Sequence, residues 1–229
     1  MKDLVLLHGA LGASGQFDTL ADTLRARFRV HQIDFEGHGA VAPRGRPFRI
    51  QHFVANVVEL LDRLALEQAV FFGYSMGGYV ALCLGLEHPD RVDRVTTLGT
   101  KFRWDPAHAA REVARLDPSI IQSKVPSFAA TLEARHVRAG GWQGVLAGTA
   151  ELLGHLGDHP LLTDSTLPGI AAPVRVVVGD RDNTVSVEES SAVARSLASG
   201  SLTVLPDTPH PIEQVDVGVL APLLTEFFD

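Results

Sequence analysis

The sequence has a single cysteine, Cys83, in 229 residues. A lone thiol excludes an intrachain disulfide framework and a cysteine-based zinc site. Positive charge is also in short supply: 20 Lys and Arg stand against 27 Asp and Glu, a formal net charge of −7. That balance argues against a general nucleic-acid or anionic-membrane binder, whose affinity needs clustered basic residues. Long apolar runs are missing too. The first, Leu4-Val5-Leu6-Leu7 before His8-Gly9, is far too short for a signal h-region or a membrane span, so the cytoplasm is the expected compartment. There is no internal repeat or low-complexity tract. What remains is ordinary: 45% hydrophobic and 21% charged residues suit a globular protein. The length fits one large domain, or a domain with a sizeable insertion.

Short apolar runs alternate with longer amphipathic stretches along the chain. Asp3-Leu7, Arg29-Ile33, Ala69-Phe72, Val92-Leu98, Val174-Val178 and Ser201-Leu205 are rich in Val, Leu and Phe without strict alternation. They read as buried strands of a parallel sheet. Helical spacing follows most of them. The stretch Ser14 to Arg27 puts Phe17, Leu20, Ala21 and Leu24 on one face, and Ile50 to Leu64 does the same with Phe53, Val54, Val57, Leu60 and Leu61. Further helices are expected over Met76-Glu87, Val187-Leu197 and Val217-Phe228. Strand–helix repetition implies right-handed crossovers and a doubly wound α/β architecture of about six strands.

Residues 104–170 break this rhythm. Apolar residues recur there at helical spacing, but no strand is evident, and Gly140-Gly141, Gly148, Gly154, Gly157, Pro160 and Pro168 punctuate the segment. The reading is a helical cap inserted after the fourth strand, with 1–103 and 171–229 forming the core. Such an insertion lies over the crevice at the carboxyl ends of the strands, where α/β folds bind ligands.

The sharpest motif is Gly73-Tyr74-Ser75-Met76-Gly77. The bare pattern is weak, but Ala69-Phe72 precedes it as a strand and Gly78-Leu84 continues it as a helix. A nucleophile on a sharp strand-to-helix turn needs small neighbours, because the strained backbone brings flanking residues close. The same turn puts Ser75 at a helix N-terminus, which favours developing negative charge. A serine hydroxyl also needs a base, itself oriented by a carboxylate. Asp180 and Asp182 follow the strand Val174-Val178, and His210 follows Leu202-Leu205, in the order Ser, Asp, His.

With these motifs the chain resembles the α/β-hydrolase superfamily over nearly its whole length. The family's acid loop, Gly-x-x-Asp-x-x-Val, selects Asp182 over Asp180, and His210 matches the catalytic histidine, so the resemblance implies a triad of Ser75, Asp182 and His210. His8-Gly9-Ala10-Leu11-Gly12 looks like the family's oxyanion turn. Its donors would be the backbone N–H groups of Ala10 and Met76, with Leu11 the alternative to Ala10. Many relatives carry a bulkier residue at Ala10, so a wider acyl pocket is expected. The cap's Trp104, Phe128 and Trp142, with Leu132 and Leu146, wall an apolar pocket or form the cap's own core. Leu11 and Tyr74 complete the expected substrate contacts. His38, in a glycine turn, is a candidate for the site entrance, whereas His31, His52, His88, His108, His136, His155 and His159 read as surface or packing residues.

Gly37-His38-Gly39-Ala40-Val41-Ala42 fits a dinucleotide fingerprint but opens no helix, since Pro43, Gly45 and Pro47 follow. Without a helix N-terminus there is no pyrophosphate cradle. His155 and His159 have the spacing of a helical zinc pair, but Gly157 lies between them and no Glu follows His155. No cofactor and no metal are therefore expected. Two features depart from the family. Glu36 stands where Pro or Arg is usual, and the strands that ordinarily precede the first one here are missing, leaving six parallel strands. The strand Arg29-Ile33 then lies at an edge, blunted by Arg27, Arg29 and His31 or paired with another chain.

The resemblance implies a serine hydrolase that cleaves a small or medium ester, or a similar acyl compound, through an acyl-enzyme. The same triad would serve a C–C bond hydrolase, a synthase of the menaquinone-pathway type or a cofactor-free perhydrolase. A reading of another class is a hydrolase-like receptor for a small ligand, as in the strigolactone and karrikin receptors. The expected partner is a small-molecule substrate, with no nucleic acid and no membrane, for a monomer or homodimer.

Overall fold

The computed structural model describes residues 1–229. Six strands carry the sheet: β1 (Asp3–Leu7), β2 (Arg29–Ile33), β3 (Ala69–Tyr74), β4 (Val92–Leu98), β5 (Val174–Gly179) and β6 (Gly200–Leu205). Their order is β2-β1-β3-β4-β5-β6 and every neighbouring pair is parallel. Five helices cover the two faces: α1 (Asp18–Leu24), α2 (Ile50–Arg63), α3 (Met76–Glu87), α8 (Val187–Ser196) and α9 (Val217–Phe228). Between β4 and β5 lie four more and no strand: α4 (Pro106–Val113), α5 (Pro118–Lys124), α6 (Pro126–His136) and α7 (Trp142–Asp158). The first expected helix is split, because Ser14–Phe17 forms a 3₁₀ turn before α1. No helix is long and apolar enough to cross a membrane.

Strand alternation explains why the apolar runs are continuous. Successive side chains point to opposite faces, and here both faces are covered. Leu4 and Leu6 of β1 pack with Val70 and Phe72 of β3 beneath α1 and α9. Val5, Leu7 and Phe71 face the larger core under α2, α3 and α8. Each fully buried Leu, Val or Phe contributes about 1.5–3 kcal/mol, so the central strands anchor everything attached to their ends.

The edge at β2 is charged. Arg29 Nε and His31 Nε2 both lie against Asp3 Oδ1 of β1, at 2.9 and 2.8 Å, and Arg27 pairs with Asp229. The Arg29 guanidinium holds the Asp3 carboxyl below its usual range. Charges along an edge discourage pairing with a further strand.

The loop after β2 turns tightly at Gly37 and Gly39, whose φ angles are 74° and 56°, and the next helix begins only at Ile50. Glu36 is buried in this loop. Although burial pushes its carboxyl up, hydrogen bonds from Arg46 (2.7 and 2.5 Å) and Asn56 (2.9 Å) hold it below the usual range. The unusual acid at this position is therefore a structural tie between the loop and α2.

Candidate active site

The turn from β3 into α3 is built around close approach. Ser75 has φ 51° and ψ −118°, a conformation that costs a non-glycine residue about 1–3 kcal/mol. It is held by Ser75 N–H donating to the Leu98 carbonyl (2.8 Å) and by Thr100 Oγ1 donating to the Ser75 carbonyl (2.9 Å). A Cβ on Gly73 would come 2.4 Å from the Gly77 carbonyl oxygen, and one on Gly77 would come 2.1 Å from that of Leu7. Only glycine fits at either place, so the two motif glycines let α3 pack directly on β1 and β3. Met76 is the first residue of α3, so its N–H has no partner within the helix.

His210 stands on the loop between β6 and α9, with Nδ1 2.7 Å from Asp182 Oδ2. The other Asp182 oxygen accepts from the N–H groups of Thr184 (2.8 Å) and Val185 (2.9 Å), which orients the carboxylate toward the imidazole. The Asp182 side chain is 2% exposed and that of His210 17%. Asp180 does something else: it accepts from Thr208 N–H at 3.2 Å and ties the β5 and β6 loops together.

Gly99, just past β4, is a residue that sequence reasoning missed. Its φ is 58°, and a Cβ there would lie 3.0 Å from Asp182 Oδ2 and 3.2 Å from His210 Nδ1. Gly99→Ala is expected to displace the Asp182–His210 pair and to strain the backbone by about 1 kcal/mol or more. The expected result is roughly tenfold or greater loss of kcat/KM, with Tm lowered by about 2–4 °C. A variant matching wild type in both an ester assay and a thermal melt would refute this account of the glycine.

Residues 8–12 close the other side of Ser75. A Cβ on Gly9 would come 3.1 Å from Ser75 Cβ and 2.9 Å from the Tyr74 ring. Gly12 N–H donates back to the Gly9 carbonyl at 3.0 Å, whereas the N–H groups of Ala10 and Leu11 donate to no protein acceptor. His8 is wholly buried beneath this turn. Its Nε2 accepts from Phe35 N–H (3.2 Å), so Nδ1 carries the proton and donates to the Gly9 carbonyl (2.8 Å). Burial pushes its pKa down to about 4.

These elements line a cavity of about 240 Å³. Ala10, Leu11, Tyr74, Ser75, Met76 and His210 line it from the sheet end. Ile50 and Trp104 add apolar groups, and α7 contributes Thr149, Leu152, Leu153 and Leu156. Lys101, Glu112 and Arg115 add charged groups to the lining. Of the cap aromatics expected at the substrate, Trp104 lines the cavity but Phe128 and Trp142 do not. Phe128 is 38% exposed, and Trp142 is buried among Ile121, Ala129, Leu132 and Leu146, the cap's own core. The reason is helix orientation: α6 leaves Phe128 toward solvent, and α7 turns Trp142 into a cluster with residues of α5 and α6. The α7 residues at the cavity were missed because helical spacing shows a face without showing what it meets.

His38 is not at an entrance either. It is fully buried and stacked on Phe48 with ring centroids 5.1 Å apart. The rings of His155 on α7 and His159 just past its end lie 4.9 Å apart, and no group of three or more His, Cys, Asp or Glu gathers to hold a metal.

Comparison with known proteins agrees with this architecture. Residues 3–139 match the family described as alpha/beta hydrolase fold. The chain is 37% identical over 98 residues to a pimeloyl-[acyl-carrier protein] methyl ester esterase of Nitrosomonas europaea, covering 43% of this chain and 37% of that one. It is 27% identical over 194 residues to 3-oxoadipate enol-lactonase 2 of Acinetobacter baylyi, covering 78% and 71%. Several curated relatives are matched over only about two fifths of their length. Among solved structures, a thermophilic esterase from Thermogutta terrifontis superposes with a TM-score of 0.80 at 22% identity, covering 99% of this chain and 89% of that one.

Proposed function

The chain belongs to the alpha/beta hydrolase fold family, and from that premise we propose that it is a serine hydrolase of small or medium esters. One observation carries the reading. Ser75 and His210 line the same cavity, with Asp182 2.7 Å behind His210, beside backbone N–H groups that no protein acceptor uses. Nucleophile, base, orienting acid and oxyanion donors are the four parts that acyl transfer needs.

In the proposed mechanism the Ser75 hydroxyl attacks the ester carbonyl while His210 Nε2 takes its proton. Asp182 keeps Nδ1 protonated and stabilises the imidazolium. The developing oxyanion is met by the N–H of Met76 and that of Ala10 or Leu11. His210 then protonates the leaving alcohol, and water activated by the same ring hydrolyses the acyl-enzyme.

The cavity of about 240 Å³ falls below the roughly 300–1,000 Å³ that takes drug-sized ligands, and its walls are largely apolar. Acetyl and butyryl esters should therefore be turned over faster than dodecanoyl esters by about tenfold or more. The test is a fluorophosphonate probe with mass mapping, followed by a graded nitrophenyl ester panel. Labelling at Ser75 with a short-chain preference supports the proposal, and labelling elsewhere overturns the site. Labelling at Ser75 without ester turnover would favour the C–C hydrolase, synthase or receptor readings.

A further inference from the structure

The turn that carries the oxyanion donors is held from the cap. Leu11 sits in the left-handed region at φ 59°, where a branched side chain is costly unless its surroundings hold it. Its carbonyl oxygen takes two side-chain bonds from consecutive residues of α6: Arg135 Nη1 donates at 2.9 Å and His136 Nε2 at 3.0 Å. His136 is completely buried, and its Nδ1 accepts from Gly39 N–H at 3.1 Å, which leaves the Nε2 proton for Leu11. Arg135 Nη2 reaches on to Glu213 Oε1 at 3.0 Å, and Gln16 Nε2 meets the same oxygen at 2.8 Å. Glu213 lies three residues beyond His210 in sequence. The Leu11 side chain makes the same connection in apolar terms, packing against both the main core and the cap core of Ile121, Ala129, Leu132, Trp142 and Leu146.

We propose that Arg135 and His136 are positioning residues that set the oxyanion turn by pinning the Leu11 carbonyl, so that the oxyanion hole is complete only when α6 is seated. The inference rests on the serine-hydrolase reading above. The physical reason lies in the neighbouring peptides. The backbone at Leu11 relates the plane carrying its carbonyl to the plane carrying its own N–H, and Ala10 N–H is one peptide further back. Releasing the carbonyl lets Leu11 leave its left-handed conformation, which re-aims both candidate donors without touching Ser75, His210 or the α7 residues at the cavity. Oxyanion donors act on charge that develops in the transition state, so the loss should appear in kcat and leave KM nearly alone.

The experiment begins with wild type, whose Ser75 labelling and ester turnover establish the hydrolase reading; if both fail, that reading fails, and this inference with it. With an active wild type, Arg135→Met is expected to lower kcat by about 10- to 100-fold, a fraction of the roughly 10²–10³-fold cost of deleting a donor, with KM changed less than about threefold. Arg135→Lys, which keeps one donor, should recover part of kcat. Affinity for an alkyl boronic acid, whose tetrahedral serine adduct places an oxygen in the hole, should fall in step with kcat/KM. His136→Gln keeps a donor for the Leu11 carbonyl and should retain more activity than His136→Leu. If Arg135→Met does not fold, Glu213→Gln weakens the second anchor of Arg135 and should show a smaller loss of the same kind, in kcat rather than KM. Wild-type kcat in folded Arg135→Met, or a loss confined to KM, would overturn the proposal.

Discussion

Ser75→Ala is expected to lower kcat on a short nitrophenyl ester by on the order of 10⁶-fold, with His210→Ala added on top costing less than about threefold more. Both effects have one origin. The imidazole has no proton to take once the hydroxyl is gone, so the members of the constellation act as a unit and their losses do not add. The residual rate should still exceed that in water by about 10³–10⁴-fold, because the oxyanion turn and the cavity remain. Ser75 is partly exposed to the cavity and its side chain anchors no hydrogen bond in the fold; the Thr100 bond goes to its backbone carbonyl. The alanine variant should therefore melt close to wild type, which separates a chemical loss from a structural one. Steady-state kinetics of the two variants decide the matter. Ser75→Ala retaining more than about a tenth of wild-type kcat would remove the serine from the mechanism.

The second large effect is on stability. His8, His38 and His136 meet beneath the turn at residues 8–12, with ring centroids 5.1 Å apart for the first pair and 5.9 Å for His38 and His136. All three are buried. Desolvation is the main cause that lowers each, pushing His8 down to about 4 and His38 well below the ordinary histidine range. Repulsion from neighbouring rings lowers His8 and His38 further and Arg135 lowers His8 and His136, while backbone hydrogen bonds to Gly9, Glu36 and Leu11, and Asp34 near His8 and His136, oppose it. The folded chain thus keeps these rings neutral at a pH where the unfolded chain has protonated them. Between about pH 6.5 and pH 4 the unfolded state binds more protons, so stability is fully present above pH 6.5 and is lost as pH falls through that interval. Each pH unit of separation is worth about 1.4 kcal/mol, so His8 alone accounts for about 3 kcal/mol by pH 4 and about 2 kcal/mol at pH 5. Against a total of roughly 5–15 kcal/mol that is substantial.

Urea unfolding at pH 7.5 and at pH 5 measures this. The midpoint should fall by roughly 1 M, given a denaturant slope of about 2–3 kcal/mol per M. In the folded chain the depressed carboxylates Asp34 and Glu36 take up protons only below their ordinary range, while Glu87, pushed up by burial, acts in the opposite sense to the histidines and His155, pushed down, acts in the same sense. His38→Phe replaces one titrating ring with one that does not titrate, and it should shrink the difference. Equal midpoints at the two pH values would show that the cluster is not held neutral.

Much of the candidate site is legible in the sequence because its signals are local. A strand run, then Gly-x-Ser-x-Gly, then a helical run specifies a tight turn whose first glycine is demanded by a local contact, Gly73 against Gly77 and Gly78, whereas Gly77 is demanded by Leu7 and His8 from a distant part of the chain. The same holds for the apolar runs of β1 and β3, whose continuity follows from having both faces buried. The six-strand parallel sheet and the helical stretch between β4 and β5 could be laid out from that information, since connection lengths and handedness leave few alternatives.

What tertiary structure alone decided depends on residues distant in the chain. Gly99 needs to be glycine because Asp182 and His210 arrive beside it. Glu36, an acid in an unusual place, is explained by Arg46 and Asn56. Trp142 went to a cluster with Ile121, Ala129, Leu132 and Leu146, and Leu152 and Leu156 to the cavity, although all three are apolar residues of one helix. The ties from Arg135 and His136 to Leu11 span more than 120 residues and leave no mark in local pattern. Periodicity reports that a helix has an apolar face, because that follows from the bonds of a single turn. Which partner the face meets is settled by how whole elements pack, and there the chain's nearest neighbours have no say.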